Sequence, residues 1–509
     1  MMAERTICPH PRRRRWGLFA WSLASALAIL SICSKSSPLY PMNDWVDVQC
    51  FFTVGRGILR GKMPYLDLYE QKGPVLYLLF ALAALISGES FLGVFLLEVL
   101  SLGSFLYVSA RIAALWLGED RWSLFLLPPV LALAIGISPA FSHGGSAEQL
   151  FLPAMALFLK LGLGTIRENR PLKRGEAFLC GVLAALALWV KYTFCGIFAG
   201  GALALAVWYC GTKKARHLWA AVLFGLLGMA AVTAPILLWF RLRGALPALW
   251  QAYFVNNLTA YASGGSPRHA PPLQALQNNR MWSAFGALGC LWPLARFKKQ
   301  WGEALLLILS ALALGFFTYA NGRTYPYYAL ILAAFSGPGW VPVLILLRRA
   351  CQRVPRRAAA AGAILVAGLL LAGSAFWAYG HSGNVYLMAY EKEDMPPYRF
   401  AQIIRQREDA SLLNYGFLDG GFYLASGVEP ETRFFCTLNI SLPEQEASLR
   451  QAIQAGEAEF VVVRGKGSPG SNYSLVDTCS FPFEGRNWTY SLYQRTNNTA
   501  APRERRSRK

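Results

Sequence analysis

Charge is what this chain has least of. Only 15% of its 509 residues are Asp, Glu, Lys or Arg, against 55% that are hydrophobic. A soluble domain of this size cannot carry so much apolar surface without exposing it, so a mean hydropathy of +0.34 excludes an ordinary soluble enzyme. The ten cysteines include no CxxC pair and no metal-ligand spacing, which leaves out zinc-ribbon and thioredoxin-type chemistry. Most of them lie in or beside apolar stretches and read as small hydrophobes. No internal repeat is visible. A formal charge of +21 does not make the chain a nucleic-acid binder, because its cations are spread over short loops and only Arg503–Lys509 forms a dense run.

What the chain does have is long apolar runs. Trp16–Cys33, Phe91–Ala110, Leu218–Phe240 and Ala358–Tyr379 approach or exceed the length a helix needs to cross roughly 30 Å of hydrocarbon. Arg12–Arg15 ahead of the first run suggest a signal peptide, but no small-x-small cleavage site follows, so it reads as a retained span. The cation-rich loops Arg348–Arg357, Arg296–Lys299, Lys213–Arg216 and Arg167–Arg174 belong in the cytoplasm by the positive-inside rule. Spans then fall near 16–33, 91–110, 123–138, 147–164, 176–190, 193–209, 218–240, 281–295, 302–319, 327–346 and 358–379. Eleven spans put the N-terminus inside and the C-terminus outside. Segment 74–87 is too short for a further crossing and reads as an interfacial or re-entrant helix.

The expected architecture is an all-α polytopic membrane protein of about eleven spans with a small C-terminal extracytoplasmic α/β domain. Its parts are a basic cytoplasmic N-terminus (1–16), a membrane domain (17–379), an outer domain (380–497) and a disordered basic tail (498–509). The outer domain is marked by Glu459-Phe-Val-Val-Val463, by turn signals at Asp419-Gly-Gly421 and Gly467–Gly470, and by a helix near Glu444–Ala455. On the outer side Cys436 and Cys479 could form a disulfide. Five Asn-x-Ser/Thr sequons, at Asn257, Asn439, Asn472, Asn487 and Asn497, also fall on that side.

One large outer loop, 34–90, contains an amphipathic stretch near 45–60 and gathers Asp47, Tyr65, Asp67, Glu70 and Lys72. A carboxylate such as Asp47 can take the proton of an attacking hydroxyl; a solvated or helix-capping aspartate is the plainer reading, and Asp44 competes for the role. Lys72, just ahead of the interfacial helix, suits a phosphate, whether of bulk lipid or of a substrate. Glu148 follows His143-Gly-Gly-Ser at the start of a span, where the helix dipole favours it and where it could also orient an acceptor or share a divalent cation. Arg323, in the turn Asn321–Pro326, suits a departing phosphate. The tyrosines beside it suit an interface belt better than a sugar platform. Lys191 reads as an outer-face residue that snorkels.

In order along the chain, Asp47-x-x-x-Phe51, Gly55-Arg-Gly-Ile-Leu, Gly61-x-x-Pro-Tyr65-x-Asp67, Gln71-Lys-Gly-Pro74, Gly144-Gly-x-x-Glu148 and Arg323-x-Tyr-Pro-x-Tyr328 resemble the GT-C membrane glycosyltransferases. The nearest pattern is that of bacterial members of the dolichyl-phosphate-mannose-protein mannosyltransferase and aminoarabinose-transferase superfamily. The resemblance covers about residues 15–340. It implies a polyprenyl-phosphate-linked sugar as donor, an inverting displacement, and a glycan, lipid or protein acceptor on the extracytoplasmic face. Asp47 is then the base or a metal ligand, with Glu148 as second catalytic carboxylate. Lys72, Arg323, Asp67, Tyr65 and His143 become the substrate-binding set. Val48 stands where many members have Glu, and Lys72-Gly-Pro74 where many have Lys-Pro-Pro, so a Mg or Mn ion is left open. The rival from another class is a transporter or flippase of lipid-linked glycans. That reading calls for ionisable groups inside spans, of which Glu98 is the main candidate, and for repeats.

Overall fold

The computed structural model describes residues 11–118, 122–263, 280–320, 322–323, 325–350, 356–483 and 485–496. The basic tail, Asn497, residues 264–279 of the long loop after the seventh expected span, and Asn321 and Thr324 lie outside the described residues. The first helices are α1 (Pro11–Cys33), α2 (Val46–Leu59), α3 (Pro74–Ile86), α4 (Leu92–Leu117), α5 (Leu127–Gly136), α6 (Ala147–Arg167), α7 (Arg174–Val190) and α8 (Cys195–Gly211). Among the described residues eight helices are long and apolar enough to cross a membrane: Arg15–Cys33, Leu92–Leu117, Ala147–Arg167, Tyr192–Gly211, Ala215–Leu242, Lys299–Tyr319, Pro326–Leu347 and Ala361–His381. The other three expected spans fall on shorter helices, Ser123–Gly136, α7 and Ser283–Ala295. Segment 74–87 is α3, whose 13 residues span about 20 Å, short of a crossing.

Two compact units divide the chain. The first comprises Met1–Leu39, Val94–Ile236 and Ser266–Tyr386; the second comprises Tyr40–Gly93, Leu237–Gly265 and Leu387–Lys509. In the first unit the helices approach closely where side chains are smallest. A Cβ at Gly200 would sit 2.2 Å from the carbonyl oxygen of Leu309, and one at Gly196 would sit 2.5 Å from that of Ala313. The Gly-x-x-x-Gly face of α8 therefore lies against the backbone of helix Phe297–Tyr319. Without a hydrophobic driving force in lipid, such small-residue contacts are what hold helices together.

In the second unit, four strands form a sheet in the order β1-β2-β4-β3: β1 (Leu412–Tyr415), β2 (Phe460–Arg464), β3 (Tyr473–Phe483) and β4 (Arg486–Arg495). β1 and β2 are parallel, with Leu412 opposite Phe460, so their crossover carries helices Phe422–Ser426 and Pro443–Gln454. β2 is buried along Phe460–Val463, which explains its unbroken apolar run; β3 is mostly exposed between its ends. α2 and α3 cross at Gly55, where a Cβ would meet the Ala81 nitrogen at 2.7 Å. α2 is also joined to the C-terminal segment: Thr53 donates to Asp419 Oδ2 at 2.6 Å, and Arg56 Nη1 donates to the Tyr423 carbonyl at 3.3 Å. Asp419 accepts further bonds from Gly421 N and Asn414 Nδ2, yet its complete burial raises its pKa above the ordinary carboxylate value. Loop 62–71 is laced to the same segment. Tyr69 N donates to the Arg433 carbonyl at 2.8 Å and Arg433 Nε donates to the Tyr65 carbonyl at 2.9 Å.

Candidate active site

Four of the seven candidate residues, Asp47, Tyr65, Asp67 and Lys72, belong to the second unit, and His143, Glu148 and Arg323 belong to the first. In the second unit the structure builds a support for Lys72. The Tyr65 hydroxyl donates to the Lys72 carbonyl at 2.5 Å, and the Lys72 backbone N–H donates to Glu70 Oε2 at 2.8 Å. Tyr77 donates its hydroxyl to the same carboxylate oxygen. Burial and the neighbouring Glu70 push Tyr77 well above its ordinary pKa, which keeps that donor protonated. The Lys72 ammonium, 12% exposed, lies 3.9 Å from Glu70 Oε1 and 5.6 Å from the centre of the Phe51 ring. Asn257 Nδ2 donates to the Gln71 carbonyl at 2.7 Å, and Asn256 Nδ2 donates to the Tyr69 hydroxyl at 2.7 Å. Asn257, one of the five sequon asparagines, is thus buried and committed to this loop.

Tyr65 is fully buried, with φ +67, a left-handed backbone that a bulky residue adopts only under constraint. Its hydroxyl supports the Lys72 backbone. Asp67 is exposed, and its Oδ2 accepts from Met63 N at 2.6 Å, closing the turn from Met63 to Asp67. Asp47 stands in the first turn of α2, partly exposed, where the helix dipole favours a carboxylate. Its competitor Asp44 is buried just ahead of the helix. The two aspartates therefore differ in access.

In the first unit Gly144 (φ +89) and Gly145 (φ +79) turn the chain into α6, which Ser146 caps by accepting from Gln149 N. Glu148 follows in the first helical turn, 2% exposed, with the Lys191 ammonium 2.5 Å from its Oε1. Lys191 stands at the break between α7 and α8, its Nζ 3.7 Å from the centre of the Tyr328 ring and 5.8 Å from those of Tyr327 and Phe194. This overturns two expectations. Lys191 is buried in an ion pair and does not snorkel. Tyr327 and Tyr328 are buried against it instead of forming a belt, because an ammonium away from water gains from aromatic faces. Arg323, 6% exposed, has its Nη1 3.3 Å from the Tyr325 hydroxyl, and Tyr325 stacks on Tyr327.

His143 precedes this helix. Burial and the neighbouring Lys35 charge hold its imidazole well below the ordinary value, so it is neutral at pH 7. Lys35 is 2% exposed, its backbone N–H donating to the His143 carbonyl at 3.0 Å. Glu98, fully buried in α4, accepts from Gln149 Nε2 at 3.2 Å and lies where a Cβ on Gly144 would be 2.7 Å from its Oε2. It is tied to the turn before α6.

Lys35 is a charged group that sequence reasoning did not name, and Lys191 one that it placed wrongly. The available signal was an isolated lysine at the end of an apolar run, which burial makes costly without a partner. The expected Cys436–Cys479 pairing is also corrected: Cys479 lies on β3 opposite Tyr490, while Cys436 faces Cys50. Among the described residues no three His, Cys, Asp or Glu side chains converge, and Glu148 meets an ammonium.

No protein-family model matches the chain, and no curated protein matches it by sequence. Solved structures do. ArnT, the aminoarabinose transferase, from Cupriavidus metallidurans bound to undecaprenyl phosphate superposes with a TM-score of 0.61 at 16% identity, covering 95% of this chain and 99% of that one. The apo form gives 0.60 at 15% identity over 96% and 99%. The chain has an ArnT-like fold over 95% of its length, mostly helical with a small C-terminal sheet, as its sequence led us to expect.

Proposed function

We propose that the protein is an integral-membrane glycosyltransferase that moves a sugar from a polyprenyl-phosphate donor to an acceptor on the extracytoplasmic face, with inversion. The observation that carries the reading is Lys72 at the entrance to α3, its backbone held by Tyr65 and Glu70 and its part-buried ammonium beside the Glu70 carboxylate, in a chain folded like ArnT. A fold alone does not assign chemistry, so the weight rests on the charged groups it presents. Undecaprenyl phosphate, the lipid named with that ArnT structure, has the headgroup that a lysine beside a helix N-terminus suits.

The acceptor hydroxyl oxygen attacks the anomeric carbon and loses its proton to the Asp47 carboxylate. The bond from that carbon to the phosphate oxygen breaks, and its electron pair leaves with the phosphate. Lys72, in the same unit as Asp47, neutralises the charge that builds there, an electrostatic contribution that often dominates catalysis. The test is sugar transfer from a polyprenyl-phosphate donor in proteoliposomes. Asp47→Asn should cut turnover by roughly 10²–10⁴-fold, the usual worth of a general base, while Asp44→Asn costs far less. A chelator arm reads whether Mg or Mn contributes. Full activity in Asp47→Asn would remove the base assignment. Movement of a lipid-linked glycan across the bilayer without transfer would favour the flippase instead.

A further inference from the structure

We propose that Cys50 and Cys436 are joined by a disulfide that staples α2 to the C-terminal segment when the protein is made in an oxidising compartment. Their sulfur atoms lie 3.9 Å apart although the residues are 386 positions apart in sequence. The two side chains are 1% and 0% exposed, so neither has been drawn to the other by a surface accident. The backbones around them are already held in register by the Thr53–Asp419 and Arg56–Tyr423 hydrogen bonds. Closing the sulfurs from 3.9 Å to the roughly 2.0 Å of a bond asks the two side chains to approach by about half their separation, between backbones already tied together.

The chemistry balances with an external oxidant of the disulfide class, such as a thiol–disulfide oxidoreductase. One thiolate attacks the oxidant's disulfide to give a mixed disulfide. The second thiolate displaces the oxidant as its dithiol; the cysteine pair gives up two electrons and two protons. Burial pushes both thiols above their ordinary pKa, so in the closed fold they exchange slowly. The bond forms as the two segments meet and then resists reduction. Cys479, partly exposed on β3, has no such place in the scheme.

The consequence concerns α2, whose first turn carries Asp47 and whose middle carries Cys50. A covalent link at Cys50 fixes that helix to a segment hundreds of residues away and closes a very long loop, the case in which cross-linking constrains the unfolded chain most.

The experiment uses the full chain produced through an export pathway, unfolded in an excess of N-ethylmaleimide and digested without reductant. Mass spectrometry should find the Cys50 and Cys436 peptides joined, lighter by two hydrogens than the separate pair. Both peptides carrying the maleimide, or Cys436 joined to Cys479, overturns the proposal. A second measurement does not depend on the digest. Reductant should lower the melting temperature of the unaltered protein by on the order of 10 °C, and should leave Cys50→Ser and Cys436→Ser where they are. If reductant kept present throughout heating, so that it reaches the bond as the fold opens, leaves the unaltered protein's melting temperature unchanged, the staple is absent.

Discussion

Replacing Lys191 with methionine should cost the protein more stability than replacing its partner, and the geometry says by how much. The ammonium and the Glu148 carboxylate are 2.5 Å apart, with side chains 9% and 2% exposed. Removing one member of such a pair leaves an uncompensated buried charge, a loss of roughly 3–5 kcal/mol. Lys191→Met strands the Glu148 carboxylate and takes the full penalty. Glu148→Gln strands an ammonium that still faces the Tyr328 ring at 3.7 Å, an attraction worth about 0.5–2 kcal/mol, so its cost is smaller by that amount. The double variant removes both charges at similar volume and should return close to the unaltered stability, since a buried pair is often no better than a neutral filling. The assay is thermal unfolding in detergent at one fixed scan rate, because membrane proteins unfold irreversibly and the midpoint then depends on the rate. A fall of roughly 5–15 °C is expected for Lys191→Met, less for Glu148→Gln, and little for the pair. Sugar transfer read on the same samples separates two parts for Glu148: a double variant that is stable yet inactive assigns it to the reaction, and a stable active one assigns it to holding the bundle. The reasoning is refuted if Lys191→Met melts within about 2 °C of the unaltered protein, or if the two single losses simply add in the double variant.

Asp419→Asn should remove a pH-dependent part of stability. Its folded pKa is raised by burial, so the folded state holds the proton more tightly, and its contribution is largest below the unfolded pKa and falls as pH rises through the folded one. In that window the variant's melting temperature should be flatter with pH, and at pH 7 it should match or exceed the unaltered protein, as a titration of melting points would show. Gly55→Ala puts a Cβ 2.7 Å from the Ala81 nitrogen, so α2 and α3 must move apart. A loss of about 1–3 kcal/mol in unfolding and weaker protection of the α2 amides from hydrogen exchange are expected.

The helical parts of the fold were legible because their signals are local. The amphipathic stretch near 45–60 is α2 at Val46–Leu59, the short apolar segment is α3, and the helix near Glu444–Ala455 is Pro443–Gln454. Phe460–Val463 reads as a strand because it is buried on both faces. The long strands β3 and β4 were less visible: β3 is mostly exposed, so no run of apolar residues marks it. For the candidate site, residue types came through and partnerships did not. Nothing local to Lys191 announces Glu148, which lies 43 residues away. Nothing near Cys436 announces Cys50 over Cys479, since pairing depends on which backbones meet. Tyr65 and Asp67 were picked out by motif, yet their side chains brace the loop, a distinction that requires hydrogen-bond geometry.

The lacing of loop 62–71 to residues near Arg433 sets an order of events during synthesis. A ribosome releases the loop early, while the carbonyl that receives the Tyr69 amide and the guanidinium that holds the Tyr65 carbonyl arrive some 360 residues later. Until then the left-handed turn at Tyr65 has no strap to hold it, and the Lys72 support is unfinished. A chain cut short before Arg433 would carry its apolar helices and lack both hydrogen bonds that tie this loop to the C-terminal segment.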